Sequence, residues 1–425
     1  MRELTARPRP VYVVCAEAPP DVVGGLGRYA ERMMAAMRHL GTPVEVFGAT
    51  ARHVAPRTER MGDVTLHRVR TPGGGRAEGR AGGVTRAPAA VLRVARVIGM
   101  LVFNVRVAAR VIRAGAGPSG SVVAVHDWMG CVAGILCRVL ARTPVVFHVH
   151  TRELNAAPAR RRSAVAAGIA ALETAQARMA CLIVVPSAGM RDDLVACGWP
   201  PGRLRVIPHG FEDPELSRLA GLTGDERDRL REAVRRRYLP GGDGRLVVFA
   251  GRLSPHKGVR TLIRAAPLIA GKRDDVRIVL IGAQAPRTDE NAEVARLIDE
   301  TGAGRHVIAG YRFLSSAEVF AHFLAADVCA FPSTYEPFGL VAVEAMALAR
   351  PVVVGPGYSP EVVGDGAVRC EHDSPEELAG ALLRCLDDRR AASRLGARGA
   401  AHVRERYTWA RTAELTLAAY AELAR

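Results

Sequence analysis

The sequence predicts an α/β protein made of two doubly wound, Rossmann-like domains facing a central cleft. Three observations carry this. The chain has 425 residues, beyond the size at which a single hydrophobic core keeps growing. Short apolar runs rich in valine alternate with longer helical patterns, and the alternation restarts halfway along the chain. In each half a glycine-rich turn joins an apolar run to a helical pattern, as in βαβ units that bind phosphate groups.

The first half opens with the strand pattern Val11–Cys15, the turn Gly24-Gly25-Leu26-Gly27, a helix from Arg28 to Leu40 and a second strand, Val44–Phe47. Further strands are expected at Val122–Val125, Val145–Val149 and Leu182–Val185, all in one parallel sheet. Residues 71–83 read as a flexible surface loop of Gly and Arg. Val91–Ile112 reads as a basic amphipathic helix with Arg93, Arg96, Arg106 and Arg110. It could lie on a membrane surface, but a half-buried helix of an α/β domain is the stronger reading. A charged helical segment, Pro214–Tyr238, ends in a Pro/Gly-rich stretch. Strands then recur at Leu246–Ala250, Arg277–Ile281, Val307–Ala309, Val328–Phe331 and Pro351–Val354, with a helix at Val259–Ile269. The expected domains are 1–212 and 244–408, with 213–243 as connector and 409–425 as a closing helix. Ligands of such sheets bind at the carboxyl ends of the strands.

The formal charge of +16 is almost entirely arginine: Lys257 and Lys272 are the two lysines among 59 basic residues. Aromatic content is 5%, and Arg160–Arg162 is one short basic run, so a nucleic-acid surface with stacking platforms is disfavoured. Eight scattered cysteines lack zinc-site spacing and suit free thiols in a reducing cytoplasm. After the basic, Pro-rich Met1–Pro10, the apolar run Val11–Ala16 is too short for a signal-peptide core, and no run of about 20 apolar residues spans a membrane. The expected location is the cytoplasm.

Two segments carry chemistry. In Gly251-Arg-Leu-Ser-Pro-His-Lys-Gly258, a loop between strand and helix brings backbone amides to a phosphate, and Arg252 and Lys257 add two charges. It matches neither G-x-x-x-x-G-K-[ST] nor G-x-G-x-x-G, which disfavours nucleotide hydrolysis and hydride transfer. The second segment runs from Ala326 through Glu336-Pro-Phe-Gly339 to Glu344 and Met346. A helix starting near Gly339 would aim the amides of Phe338, Gly339 and Leu340 at an anion, with Glu344 about one turn inside. A glycosidase using Glu336 and Glu344 as acid and base would leave the phosphate loop without a purpose.

This E-x7-E stretch, the G-R-L-x-x-x-K-G loop and the Gly-Gly-x-Gly turn resemble retaining glycosyltransferase family four, the group 1 glycosyltransferases of the GT-B fold. Matching pieces run in family order over nearly the whole chain. They are Gly24–Gly27, His126-Asp127-Trp128, His150, Glu173, Ser187, Pro208-His-Gly210, Gly251–Gly258, Glu336–Glu344 and Tyr407-Thr-Trp409. The resemblance implies that Arg252 and Lys257 neutralise a diphosphate and that Glu344 binds ribose hydroxyls. It implies that Glu336 contacts the donor sugar and stabilises charge on it, that His150 sits beside the reacting centre, and that Gly25 lets the first loop approach the phosphates. It also implies that the helix from about Trp409 crosses back onto the first domain.

The sequence departs from the family pattern at His209, where Asn is usual and a loop variant is expected, and at Gly357-Tyr358-Ser359, where paired glycines are usual. Tyr358 is expected against the donor sugar. His126 and Asp127 are acceptor-side candidates; Asp127 either orients a hydroxyl or caps a strand end. His148 and His150 share one strand face, but without an apparent third ligand no metal is expected. The expected partners are an NDP-sugar, UDP- before GDP-, and a hydroxylated small molecule or glycan, with aminocyclitol-type natural products among the candidates. No cofactor is expected. The alternative is a non-catalytic protein of this fold that binds nucleotides or anionic surfaces.

Overall fold

The computed structural model describes residues 10–18, 25–38, 40–50, 57–71, 89–118, 120–152, 164–282, 289–311 and 314–423. Gly24, residues 72–83 of the Gly/Arg loop, Arg160–Arg162 and the side chains of Arg93 and Arg96 lie outside the described residues. The chain divides into two compact units, Met1–His209 with Trp409–Arg425, and Gly210–Thr408.

The first unit is an eight-stranded sheet. Its strands are β1 (Val11–Val14), β2 (Val44–Thr50), β3 (Thr58–Met61), β4 (Val64–Arg70), β5 (Val122–His126), β6 (Val145–His148), β7 (Leu182–Val185) and β8 (Leu204–Val206), in the order β3-β4-β2-β1-β5-β6-β7-β8. The expected parallel strands form as apolar runs buried on both faces. The β3–β4 hairpin is antiparallel and departs from the all-parallel expectation; β3 is the half-exposed edge strand, and β4 lies between it and β2, mostly buried. Order reverses between β1 and β5, so the carboxyl ends of these two strands flank the switch point. The expected glycine turn is instead the start of a helix, Gly25–Met37, with Leu26, Gly27, Tyr29 and Ala30 buried. Helix Ala89–Arg113 buries Phe103, Val107, Ala108 and Val111 and exposes Val97, Ile98, Leu101 and Val105. Helix Trp409–Leu423 packs on helix Gly25–Met37, and Thr412 donates to the Pro208 carbonyl at 2.8 Å.

The second unit is a six-stranded sheet of β9 (Arg245–Ala250), β10 (Val276–Ile281), β11 (Val307–Gly310), β12 (Val328–Phe331), β13 (Val352–Val354) and β14 (Val368–Arg369). The order is β11-β10-β9-β12-β13-β14, so the switch point lies between β9 and β12. Residues 213–243, expected as a connector, contribute Leu216, Leu219, Val234 and Leu239 to this unit's core. The single helical segment expected there is broken into Pro214–Ala220 and Gly224–Tyr238. Thr223 starts the second helix with a reciprocal capping box to Glu226. Among the described residues, no helix is long and apolar enough to cross a membrane.

Candidate active site

In the second unit, three loops meet at the carboxyl ends of β9, β12 and β13. Gly258, at φ 70°, ends the first loop; a Cβ there would meet the Pro332 carbonyl oxygen at 1.9 Å, so only glycine allows this approach. Thr334 N donates to His256 O at 2.9 Å, and Gly357 N to Ser333 O at 2.9 Å. These bonds bring Lys257 Nζ to 2.6 Å from Glu336 Oε2, with Ser333 Oγ donating to the same oxygen at 3.4 Å. The pair is mostly buried, with side chains 17% and 9% exposed. Arg252 is exposed on the same loop. Burial first, then the Lys257 and Arg252 charges, hold the His256 imidazole down to about 3, so both cations act on one small region.

Helix Leu340–Ala347 begins beside this pair. Its N-cap, Gly339, is at φ 89° and has no side chain to cap the first-turn amides. Glu344 is buried on the helix one turn in, and Phe338 is buried before it, edge-on to Tyr407. A Cβ on Gly339 would lie 2.2 Å from the ring of Tyr358. Tyr358 is fully buried in this unit's core, where burial and the neighbouring Glu336 raise its phenol. Tyr358 therefore supports the loop from beneath, through Gly339. Tyr407 donates from its hydroxyl to Glu361 O at 2.7 Å and holds the Pro360-Glu361 turn.

In the first unit the switch point is lined by imidazoles. Parallel pairing sets His126 of β5 in register with His148 of β6, and their rings stack with centroids 4.4 Å apart. His126 Nδ1 lies 2.9 Å from His150 Nε2, and His150 Nδ1 lies 3.2 Å from His209 Nε2. His209, expected as a loop variant, is thus part of the cluster, stacked on Trp409. The expectation that His148 and His150 lack a third ligand is also corrected: His126, His148 and His150 place ring nitrogens within 4.8 Å of one another. A sequence signal existed, because β5 and β6 both end in histidine and adjacent parallel strands align their ends.

Burial holds all four rings neutral, pushing His126 and His209 down to about 3 and His148 and His150 well below their ordinary value. Tyr420 Oη hydrogen-bonds His148 Nε2 at 2.6 Å, and the Tyr29 ring packs on His150 and His209. Asp127, at φ 53°, accepts from His150 N at 2.7 Å and Thr151 N at 3.3 Å. Of its two expected readings, these bonds favour the cap. Burial pushes its carboxyl up to about 8, against the two amide bonds that favour the charged form. Ser187 caps helix Ala188–Ala196, and Glu173 is buried on helix Ala164–Met179. Gly25 is exposed, at the first position of its helix.

Comparison with known proteins adds the family. The profile described as "Glycosyl transferases group 1" matches residues 231–402, and that described as "Glycosyl transferase 4-like domain" matches residues 24–210. The chain is 32% identical over 334 residues to the MMP alpha-(1->4)-mannosyltransferase of Mycolicibacterium hassiacum, covering 75% of this chain and 74% of that protein. Sucrose-phosphate synthase from Thermosynechococcus elongatus shares the fold at TM-score 0.73 and 23% identity, covering 98% of this chain and 99% of that one. Anabaena HepE, solved with UDP and glucose, does so at 0.69 and 18%, covering 97% and 99%. The chain belongs to the group 1 glycosyltransferases of family four, GT-B enzymes that use nucleotide sugars.

Proposed function

We propose that this enzyme transfers a hexose or N-acetylhexosamine, with retention, from a UDP-sugar to a hydroxyl of a small-molecule or glycan acceptor. The observation that carries the reading is the Lys257–Glu336 contact at 2.6 Å beside the uncapped start of helix Leu340–Ala347. It joins a cation for a departing diphosphate to a carboxylate for a sugar that gains positive charge. The UDP bound by Anabaena HepE supports the choice of base.

In this reading Lys257 swings from Glu336 to the diphosphate as the donor enters, and Arg252 adds a second charge. The amides of Phe338, Gly339 and Leu340 take phosphate oxygens, and Glu344 takes the ribose hydroxyls. Glu336, released from Lys257, faces the donor sugar. Preorganised charge of this kind lowers the barrier because it is already aimed where charge develops. The acceptor oxygen attacks from the leaving-group face, and the departing phosphate takes its proton, so no metal is required.

Within the first unit, His150 is the residue assigned to the reacting centre. His126 and Asp127 belong to the acceptor side, Asp127 through the amide bonds that hold the His150 loop. A thermal-shift series with UDP, GDP, ADP and their sugars tests the reading. A ligand at 100 times its Kd adds about 2.7 kcal/mol of stability. UDP and one UDP-sugar should raise the midpoint by a few degrees. A response to GDP alone would move the donor to a GDP-sugar, and silence from every nucleotide would sink the donor site.

A further inference from the structure

The first unit's histidine cluster contains more ligating chemistry than a transfer reaction of neutral hydroxyls uses. We propose that His126, His148 and His150 bind a divalent transition-metal cation, zinc being the best match, and that its binding withdraws His150 from the transfer reaction.

The geometry is close to what a cation needs. Zinc bound by imidazole at about 2.0–2.1 Å sets tetrahedral ligand nitrogens about 3.3 Å apart. The three rings already offer nitrogens within 4.8 Å of one another. The His126 and His150 nitrogens at 2.9 Å share one proton in their hydrogen bond. The cation replaces that proton, which moves to the second nitrogen of its own ring, so both imidazoles stay neutral and no redox step is involved.

The surroundings orient the ligands. Tyr420 Oη holds His148 Nε2 at 2.6 Å, and His209 Nε2 stands 3.2 Å from His150 Nδ1. Hydrogen bonds on the non-ligating nitrogen fix the tautomer and orientation of metal-bound imidazoles in this way. His150 is half-buried while His126 and His148 are buried, so one side of the triad is reachable from solvent. Three ligands leave a fourth position for water. Asp127 Oδ1 is engaged by two backbone amides, which leaves an all-nitrogen set. Such a set favours zinc, nickel or copper over magnesium or calcium, which prefer oxygen.

The test is a calorimetric titration of chelator-treated, full-length protein with zinc chloride, with magnesium chloride alongside. One zinc per chain should bind at micromolar affinity or tighter, magnesium should give no heat, and His148→Gln should weaken zinc by about tenfold or more. Cobalt binding to the unaltered protein gives a second readout that needs no variant: four-coordinate cobalt absorbs strongly in the visible, six-coordinate cobalt weakly. Equal zinc affinity in a folded His148→Gln, absence of stoichiometric binding, or a six-coordinate cobalt spectrum would each overturn the site. The binding measurements use no donor or acceptor, so they stand apart from the proposed transfer. The inhibitory half rests on the proposed role of His150, and full turnover at saturating zinc would overturn that half alone.

Discussion

The two units share a doubly wound plan, yet they furnish their switch points with opposite chemistry. At the β9/β12 ends of the second unit stands a charged pair, Lys257 and Glu336, 2.6 Å apart. At the β1/β5 ends of the first stand four uncharged imidazoles hydrogen-bonded or stacked on one another. Burial accounts for the difference. A cation and an anion can share a mostly buried loop because each offsets the other's desolvation. Four like rings cannot, and each remains neutral instead. In the proposed reaction, the charged pair is the kind of site that suits a diphosphate leaving group.

The contrast is broken most directly by pH. A buried imidazole whose folded pKa lies below 6.5 lets the unfolded chain bind protons first. Its stabilisation is therefore complete above about 6.5 and lost as pH falls toward the folded value. His126, His148, His150 and His209 act in this sense. Asp127, raised to about 8, acts oppositely: its contribution is complete below the unfolded value and fades as pH rises through 8. Three protons net, at about 1.4 kcal/mol each per pH unit, set the upper bound on the first unit's loss. In the second unit, His256 is held low in the same sense, by burial and by the Lys257 and Arg252 charges. All three tryptophans, Trp128, Trp199 and Trp409, lie in the first unit. Between pH 7 and 5 the midpoint from tryptophan fluorescence should fall well ahead of the later part of the far-UV circular dichroism transition. Superimposable transitions at every pH would show that the rings do not set the weak point.

The next largest effect belongs to the charged site. Lys257→Ala removes the cation proposed for the diphosphate and should lower kcat/KM by about 10²–10³-fold, or roughly 3–4 kcal/mol. Tryptophan fluorescence should not change. A loss of less than tenfold would transfer the diphosphate role to Arg252 and the helix amides. Glu344→Ala follows, with about a tenfold rise in nucleotide Kd, or 1.4 kcal/mol, read by calorimetry. An unaltered Kd would remove the ribose assignment.

The sequence made the charged site easier to read than the neutral one, for a physical reason. Arg252, Lys257, Glu336 and Glu344 fall in two short segments, each spanning a strand end, a loop and a helix start. Local spacing therefore placed them. The imidazoles come from β5, from β6 and the residues just after it, and from His209, some sixty positions further on. Only strand register and packing bring them together. β3 escaped for a related reason: it is an edge strand, which needs no continuous apolar run. Gly25 read as a turn because glycine is a poor helix former, and tertiary burial of Leu26, Tyr29 and Ala30 overrode that propensity.

Tyr358 gives the smallest and finest test. Its position in the sequence suggested direct contact with the donor sugar, whereas its ring lies in the core under Gly339, with Glu336 and Ser333 as neighbours of its phenol. Tyr358→Gly would open a cavity costing about 3–5 kcal/mol, so a changed donor profile there would mix collapse with specificity. Tyr358→Phe keeps the ring and removes only the hydroxyl beside Glu336 and Ser333. Since Ser333 donates to Glu336, the variant should alter sugar discrimination slightly and leave affinity for the bare nucleotide untouched. A shift in nucleotide affinity with no change in sugar preference would mean that Tyr358 acts on the helix start at Gly339 rather than on Glu336. The support beneath the charged site would then serve the phosphate and not the sugar.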